Sequence, residues 1–222
     1  MKLTRYGYGT IRFFLIVSLL IDLGAFLIEI VWLKIALVAV SILLMAFVLN
    51  FFRDPNRTLP GNITDDTLIS PADGKVVEIK DIMYTLDAPF PAGEKLKQVS
   101  IFLSAFNVHV NRIPVSGVVN FIKYVKGEYL VAFDHKSSDR NERSELGIKS
   151  VTGKQIVFKQ IAGFVARRII YELKEGESVE KGERFGMIKF GSRVDILFHP
   201  DAKIFVNLGD KVTAGETIIC EL

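Results

Sequence analysis

Along the N-terminal part of the chain the apolar positions have no period. From Phe13 to Phe52 run 40 residues in which only Asp22, Glu29 and Lys34 are charged. One helix of that length would measure about 60 Å, roughly twice the hydrocarbon core of a bilayer. Two passes fit better, and a break at Glu29–Lys34 leaves residues 11–28 and 35–52 as spans of about 27 Å each. Lys2, Arg5 and Arg12 precede the pair, and Arg53 and Arg57 follow it. This distribution predicts that both ends face the cytoplasm. A cleaved signal peptide would share the basic start and the apolar run at Phe13–Ile21, but a second apolar run follows directly, with no small-residue cleavage site between them. Asp22 falls inside the first span, which fits either a helix–helix contact or a segment lying shallow or tilted.

Beyond Arg53 the pattern changes. Arg53-Asp54-Pro55-Asn56-Arg57 ends the apolar run and opens a polar linker that reaches Asp66. Residues 1–57 thus read as membrane anchor and juxtamembrane segment, and residues 58–222 as one domain. Alternating or β-branched runs predict strands at Lys75–Ile79, Gln98–Leu103, Val115–Val125, Gln155–Gln160, Arg167–Leu173, Val194–Phe198 and Lys203–Val206, with Gly, Pro, Asp and Asn between them. Ser104–Asn107 reads as a short helical turn, and the polar stretch Asp134–Glu145 as a loop. One internal repeat is visible: Gly176-Glu177-Ser178-Val179-Glu180-Lys181-Gly182-Glu183 matches Gly209-Asp210-Lys211-Val212-Thr213-Ala214-Gly215-Glu216. Such turn–strand–turn units recur in small biotinyl- and lipoyl-type barrels. The expected fold is therefore mainly β, a compact barrel or sandwich of such units behind an α-helical membrane hairpin. A carrier of that type modifies a lysine within Met-Lys-Met or Asp-Lys-Ala, and neither tripeptide is present.

Composition narrows the chemistry. Half of the 222 residues are hydrophobic, most of the excess lying before residue 53, and the net charge of +3 is too small to argue for a nucleic-acid partner. The single cysteine, Cys220, allows no intramolecular disulfide, CxxC pair or cysteine-based metal cluster, so no metal is expected and Cys220 reads as a small core residue. Phosphate-binding, zincin, nucleophile-elbow and dinucleotide motifs are all missing. What remains is His109 on a strand edge, Ser192 behind Gly191 where a strand begins, and Asp73 in an Asp-Gly turn. Singly, each is an ordinary turn or strand residue. Together they supply a base, a nucleophile and an orienting carboxylate. On the residues alone, a membrane-tethered serine protease and a non-enzymatic barrel module stay open.

The motifs carry a family resemblance. Phe51-Phe52-Arg53-Asp54-Pro55-Asn56-Arg57, Ser70-Pro71-Ala72-Asp73-Gly74, Asn107-Val108-His109-Val110-Asn111-Arg112, Asn141-Glu142-Arg143, Gln160-Ile161-Ala162-Gly163 with Ala166-Arg167-Arg168, and Gly186-Met187-Ile188-Lys189-Phe190-Gly191-Ser192-Arg193-Val194-Asp195 resemble, in order, the short form of phosphatidylserine decarboxylase. The resemblance implies self-cleavage between Gly191 and Ser192 into residues 1–191 and 192–222, which stay associated as β and α chains. Ser192 would become an N-terminal pyruvoyl group, a covalent cofactor that forms a Schiff base with the amine of a serine phospholipid and accepts the electrons released with carbon dioxide. Asp73 and His109 match the family's self-cleavage residues. Where longer members carry a second histidine this chain has Arg112, which with Arg167 and Arg168 is a candidate for holding the anionic head group. The expected setting is the cell membrane, with the catalytic domain on the cytoplasmic side. An archaetidylserine-type lipid and a homo-oligomeric assembly are both compatible with it.

Overall fold

A computed structural model describes residues 2–85, 88–127, 141–163, 168–189 and 192–222, and of Ser192 the backbone alone. The chain forms two compact units, residues 1–56 and 57–222.

The first unit is a helical hairpin. A short 3-10 turn at Arg5–Gly7 leads into α1 (Tyr8–Phe26), and α2 (Val31–Phe51) returns. Both helices are long and apolar enough to cross a membrane, at about 28 and 31 Å. They start and end a few residues earlier than the charges suggested, because Lys34 lies within α2 and the break falls at Leu27–Ile30. The seam between them is made of small or slender residues one heptad apart, Ser18 and Ala25 on α1 and Ser41 and Val48 on α2, all buried, as close packing of helices in lipid favours. Ser41 Oγ donates to the Ser18 carbonyl at 3.4 Å. Elsewhere the helices present bare apolar side chains such as Phe13, Leu19, Leu23, Trp32 and Leu43. Leu3 bridges Arg53, and Asp54 N–H donates to the Lys2 carbonyl at 2.8 Å, so the two ends of the hairpin lie side by side.

The second unit is built of strands: β1 (Thr67–Ile69), β2 (Gly74–Met83), β3 (Lys95–Leu103), β4 (Val110–Arg112), β5 (Gly117–Val125), β6 (Arg143–Ser150), β7 (Gln155–Ile161), β8 (Arg168–Tyr171), β9 (Ser178–Val179), β10 (Arg184–Lys189), β11 (Ser192–Phe198), β12 (Lys203–Ile204), β13 (Lys211–Val212) and β14 (Ile218–Glu221). Eight form a curled half-barrel in the order β13-β2-β3-β11-β7-β6-β5-β9, flanked by the three-stranded sheets β1-β14-β12 and β4-β10-β8. The mainly β expectation is met.

The eight-stranded order is a palindrome, and its register shows why. Ile196 on β11 faces Phe158 on β7, Ile196 faces Val99 on β3, and Phe158 faces Leu146 on β6. Val99 in turn faces Ile79, as Leu146 faces Ile122. A pseudo-twofold axis therefore passes through the Ile196–Phe158 pair. It relates the bulge between Val76 and Glu78 to the one between Val119 and Phe121. It also relates Gly74 to Gly117, where a Cβ would collide with the carbonyl oxygens of Phe102 and Lys149 respectively. Val76 exchanges hydrogen bonds with Gly209 and Asp210, and Val119 does the same with Gly176 and Glu177. The glycines that open and close each eight-residue sequence repeat, Gly176, Gly182, Gly209 and Gly215, all have positive φ, a conformation that costs glycine nothing. The visible repeat is thus one corner of a correspondence between two sets of seven strands. One copy is continuous, β4 to β10. The other is split, with β1–β3 before the continuous copy and β11–β14 after it.

Polar residues inside the barrel misled the sequence reading of Asp134–Glu145. Residues 134–140 lie outside the described residues, but Asn141 and Glu142 are buried and β6 begins at Arg143. Ser144 donates to Gln160 Oε1 at 2.8 Å, and Glu145 accepts from Arg143 at 2.7 Å. Paired hydrogen-bonding groups can be buried where polarity alone would predict a loop. A second polar cluster sits on β11. The fully buried Arg193 donates to Asp195 Oδ1 and Glu78 Oε2, both at 2.6 Å, and to Ser100 Oγ at 2.7 Å. Burial opposes the charge on Glu78, but hydrogen bonds from Lys80 and Arg193 outweigh it and hold the carboxyl below the ordinary glutamate range. Removing Arg193 would take a buried cation and its hydrogen bonds from two carboxylates. Arg193→Ala should cost about 3–5 kcal/mol, read by denaturant unfolding of the full chain in detergent. The Glu78 contribution is present above the ordinary glutamate range and fades as pH falls through its lower folded value, so Glu78→Gln should flatten the acid limb of the stability curve.

Candidate active site

The two ends of the continuous copy meet beside the split one. β3 leaves the sheet at Leu103, and Ser104–Asn107 form the expected turn, with Asn107 N–H donating to the Ser104 carbonyl at 3.0 Å. Asn107 Oδ1 locks it by accepting from Ser104 N–H at 2.9 Å and from Ser104 Oγ at 2.7 Å. The chain then reaches His109, fully buried, whose Nδ1 lies 2.9 Å from the Asn107 carbonyl oxygen. A carbonyl oxygen can only accept, so Nδ1 carries a proton, and in the neutral ring Nε2 is the basic nitrogen. On the return, Ile188 N–H donates to the His109 carbonyl at 3.4 Å, and four residues later the backbone of Ser192 pairs with Leu103. His109 and Ser192 thus flank the continuous copy, one just before it and one just after it. In that copy the corresponding strands β6 and β7 are joined by a tight turn, in which Gly153 and Lys154 occupy the places of Gly191 and Ser192.

Asp73 faces the same region from the start of β2. Its Oδ1 accepts from Ala214 N–H at 2.8 Å, and its Oδ2 accepts from Arg57 Nη2 at 2.8 Å. The pseudo-twofold mate of Asp73 is Ser116, whose hydroxyl oxygen accepts from Lys181 N–H at 3.0 Å. One carboxylate oxygen therefore does the structural work that a serine does in the other copy, and the second oxygen is what the aspartate adds. The contact that fixes the His109 tautomer is the Asn107 backbone carbonyl, a part that sequence reasoning had given to Asp73.

A cavity of about 520 Å³ opens here, lined by Asp73, Lys75, Phe102, Ser104, Asn107 and Lys211 among others. Ser192 pairs with Leu103, between two of these residues. A cavity of about 490 Å³ occurs at the symmetry-related place, where Ser116, Val118, Lys149, Val151 and Ser178 stand for Asp73, Lys75, Phe102, Ser104 and Lys211. There the linker residues Leu59, Ile63, Thr64 and Asp65 complete the wall.

Of the three candidate arginines, Arg112 and Arg168 lie within the described residues. Arg112 is buried, donates from Nη1 to the Gly182 carbonyl at 2.8 Å, and lays its stem against Gly215. It ties the closing turns of the two repeats and does not line the cavity. Arg168 is exposed at the start of β8, opposite Lys189 on β10. Burial and the Arg168 charge both lower the Lys189 ammonium pKa. Arg167, Gly191 and His135 lie outside the described residues. His199 is exposed beside Asp201. Cys220 is buried, which pushes its thiol up to about 12. Sequence reasoning missed Asn107, Ser104, Arg57, Lys75 and Lys211 as site residues. The Ser-x-x-Asn spacing after a strand was the one readable signal. Among the described residues no group of three or more His, Cys, Asp and Glu side chains is gathered for a metal.

This is the architecture of a β-domain built on a split internal repeat, with a cavity holding Asp73 beside the start of β11. The phosphatidylserine decarboxylase family model matches residues 44–220. A phosphatidylserine decarboxylase proenzyme of Chlorobium limicola is 45% identical over 217 residues, 98% of each chain. Those of Salinibacter ruber and Cytophaga hutchinsonii are 49% and 47% identical, covering 79% and 82% of this chain and 75% and 80% of their own. The chain belongs to the phosphatidylserine decarboxylase family and is an enzyme of the decarboxylase class.

The repeat mate supplies a clean substitution. Asp73→Ser should keep the Ala214 hydrogen bond and shift the melting temperature by only a few degrees, while slowing self-cleavage about 100-fold or more, read by the rate at which a 31-residue fragment appears.

Proposed function

We propose that this protein cleaves itself between Gly191 and Ser192 and then decarboxylates phosphatidylserine, or a related serine phospholipid, to the ethanolamine phospholipid and carbon dioxide. The observation that carries this reading is the position of Ser192, the first residue of a central strand, beside a cavity holding Asp73, where the repeat mate has a closed turn.

In the first stage the Ser192 hydroxyl attacks the Gly191 carbonyl carbon and the peptide becomes an ester. His109 Nε2 is the base that takes the hydroxyl proton, its ring oriented by the Asn107 carbonyl. Elimination across the Cα–Cβ bond of residue 192 then expels the Gly191 carboxylate, and water replaces the nitrogen, releasing ammonia. Asp73, with Arg57 and Ala214 holding its two oxygens, keeps a fixed negative charge at the cavity wall. The N-terminus of β11 is a fitting place for the resulting pyruvoyl group, because the backbone there is held by β3. The group supplies a ketone carbonyl that takes up the substrate amine and the electron pair freed with carbon dioxide.

Cleavage need not release the fragment. β11 lies between β3 and β7, β13 pairs with β2, and β14 pairs with β1, so residues 192–222 stay bound as an α chain inside the β chain of residues 1–191. The apolar hairpin supports anchorage in the membrane that carries the substrate. With its ends side by side and basic residues at both, it supports a domain on the cytoplasmic face of the cell membrane.

Mass spectrometry of the denatured wild type should find residues 1–191 and a blocked 192–222, and native mass spectrometry should find them together. Ser192→Ala should give one uncut chain. A Ser192→Ala chain cut at the same bond would refute the scheme, since no hydroxyl would remain to accept the acyl group.

A further inference from the structure

The cavity beside Ser192 carries a charge arrangement that neither the self-cleavage scheme nor the predicted arginine clamp uses. Lys75 on β2 and Lys211 on β13 face each other directly in antiparallel register, and both line the cavity. Like charges directly opposite each other on neighbouring strands are unfavourable, so such a pair is stable when an anion lies between or over it. Among the described residues the one carboxylate lining this cavity is Asp73, which is engaged by Arg57 at 2.8 Å. Asp210, next to Lys211 in sequence, accepts a hydrogen bond from Asn207 N–H at 2.7 Å.

The pseudo-twofold mate provides an internal control. Where the working copy has Lys75 opposite Lys211, the other has Val118 opposite Ser178. The mate cavity does hold two lysines, Lys149 and Lys181, but Asp65 and Glu180 line it with them, and Lys181 Nζ donates to the Thr64 carbonyl at 2.6 Å. Among the described residues, a lysine pair on facing strands with no carboxylate given over to it is thus confined to the copy that contains Asp73 and Ser192.

We infer that Lys75 and Lys211 bind the phosphodiester of the substrate head group, leaving its serine amine and carboxylate directed toward residue 192. This rests on the reading of the protein as a serine-phospholipid decarboxylase. Two ammonium groups on adjacent strands suit a phosphodiester, whose two unesterified oxygens each accept a charge-assisted hydrogen bond. Such a pair favours a serine phosphodiester over free serine.

The test uses Lys75→Gln, Lys211→Gln and the double variant in the full chain. Processing into residues 1–191 and 192–222 should proceed as in wild type, which shows that the fold and the first reaction are intact. In uncharged detergent micelles the KM for phosphatidylserine should rise about 10-fold for each single variant and about 100-fold for the double, with kcat within about threefold. By NMR titration, glycerophosphoserine should bind the processed wild type and lose affinity by the same factors in the variants, whether or not turnover is measured. An unchanged KM and affinity would overturn the inference, as would slower processing in step with the KM change. Equal affinity of the wild type for inorganic phosphate and glycerophosphoserine would overturn the head-group assignment in favour of a free-anion site. Weaker adsorption to phosphatidylglycerol vesicles with an unchanged micellar KM would reassign the lysines to general membrane attraction. A processed wild type that binds glycerophosphoserine through these lysines but releases no carbon dioxide would sink the proposed reaction and not the site.

Discussion

Everything distinctive about this domain follows from β11 being hydrogen-bonded on both sides. Ser192 to Phe198 pair with β3, and Arg193 to Leu197 pair with β7, so the strand is held whether or not the chain before it is continuous. The split repeat makes this possible. Its two halves are separated in sequence by a complete second copy, yet they pair with each other as closely as the corresponding strands of that copy do. The proposed cleavage would therefore leave the pairing of β11 in place. The buried Arg193, one residue into β11 and bonded to Asp195, Glu78 and Ser100, fixes the strand where positional error would matter most.

The two copies also show how one scaffold came to hold different contents. Their glycines, bulges and backbone pairing correspond position by position, because these are set by what the backbone needs. The proposed chemistry lies where they differ: Asp73 against Ser116, Ser192 against Lys154, and the lysine pair against Val118 and Ser178. His109 stands where the split copy has Asp66, since the Ile188 N–H that donates to the His109 carbonyl matches the Leu222 N–H that donates to the Asp66 carbonyl. Function on this fold is thus located by departures from its own internal symmetry.

Much of this was legible in the sequence. The apolar hairpin, the strands around Lys75, Gln98, Gln155 and Val194, and the eight-residue repeat all had strong local signals. Ser192, His109 and Asp73 stood out as candidates from motifs. The larger repeat was hidden because its two copies share backbone conformation and little side-chain identity, and because one of them is split. β6 was hidden because its polar residues are buried in pairs with β7. The role of the Asn107 carbonyl was invisible because any residue supplies a carbonyl, and only the turn closed by Ser104 aims this one at His109. Arg112 looked like a ligand for an anion, whereas it packs between Gly182 and Gly215, a contact that joins residues about 70 and 100 positions away.

The central claim is that the working group of this enzyme is a carbonyl made from residue 192. Treating the purified processed protein with phenylhydrazine and mapping the adduct by mass spectrometry tests it directly. The account predicts one hydrazone, at the N-terminus of the 192–222 fragment, with carbon dioxide release from phosphatidylserine lost in proportion to labelling. A fragment that begins with an unmodified serine, or an active protein that takes up no label there, would contradict it.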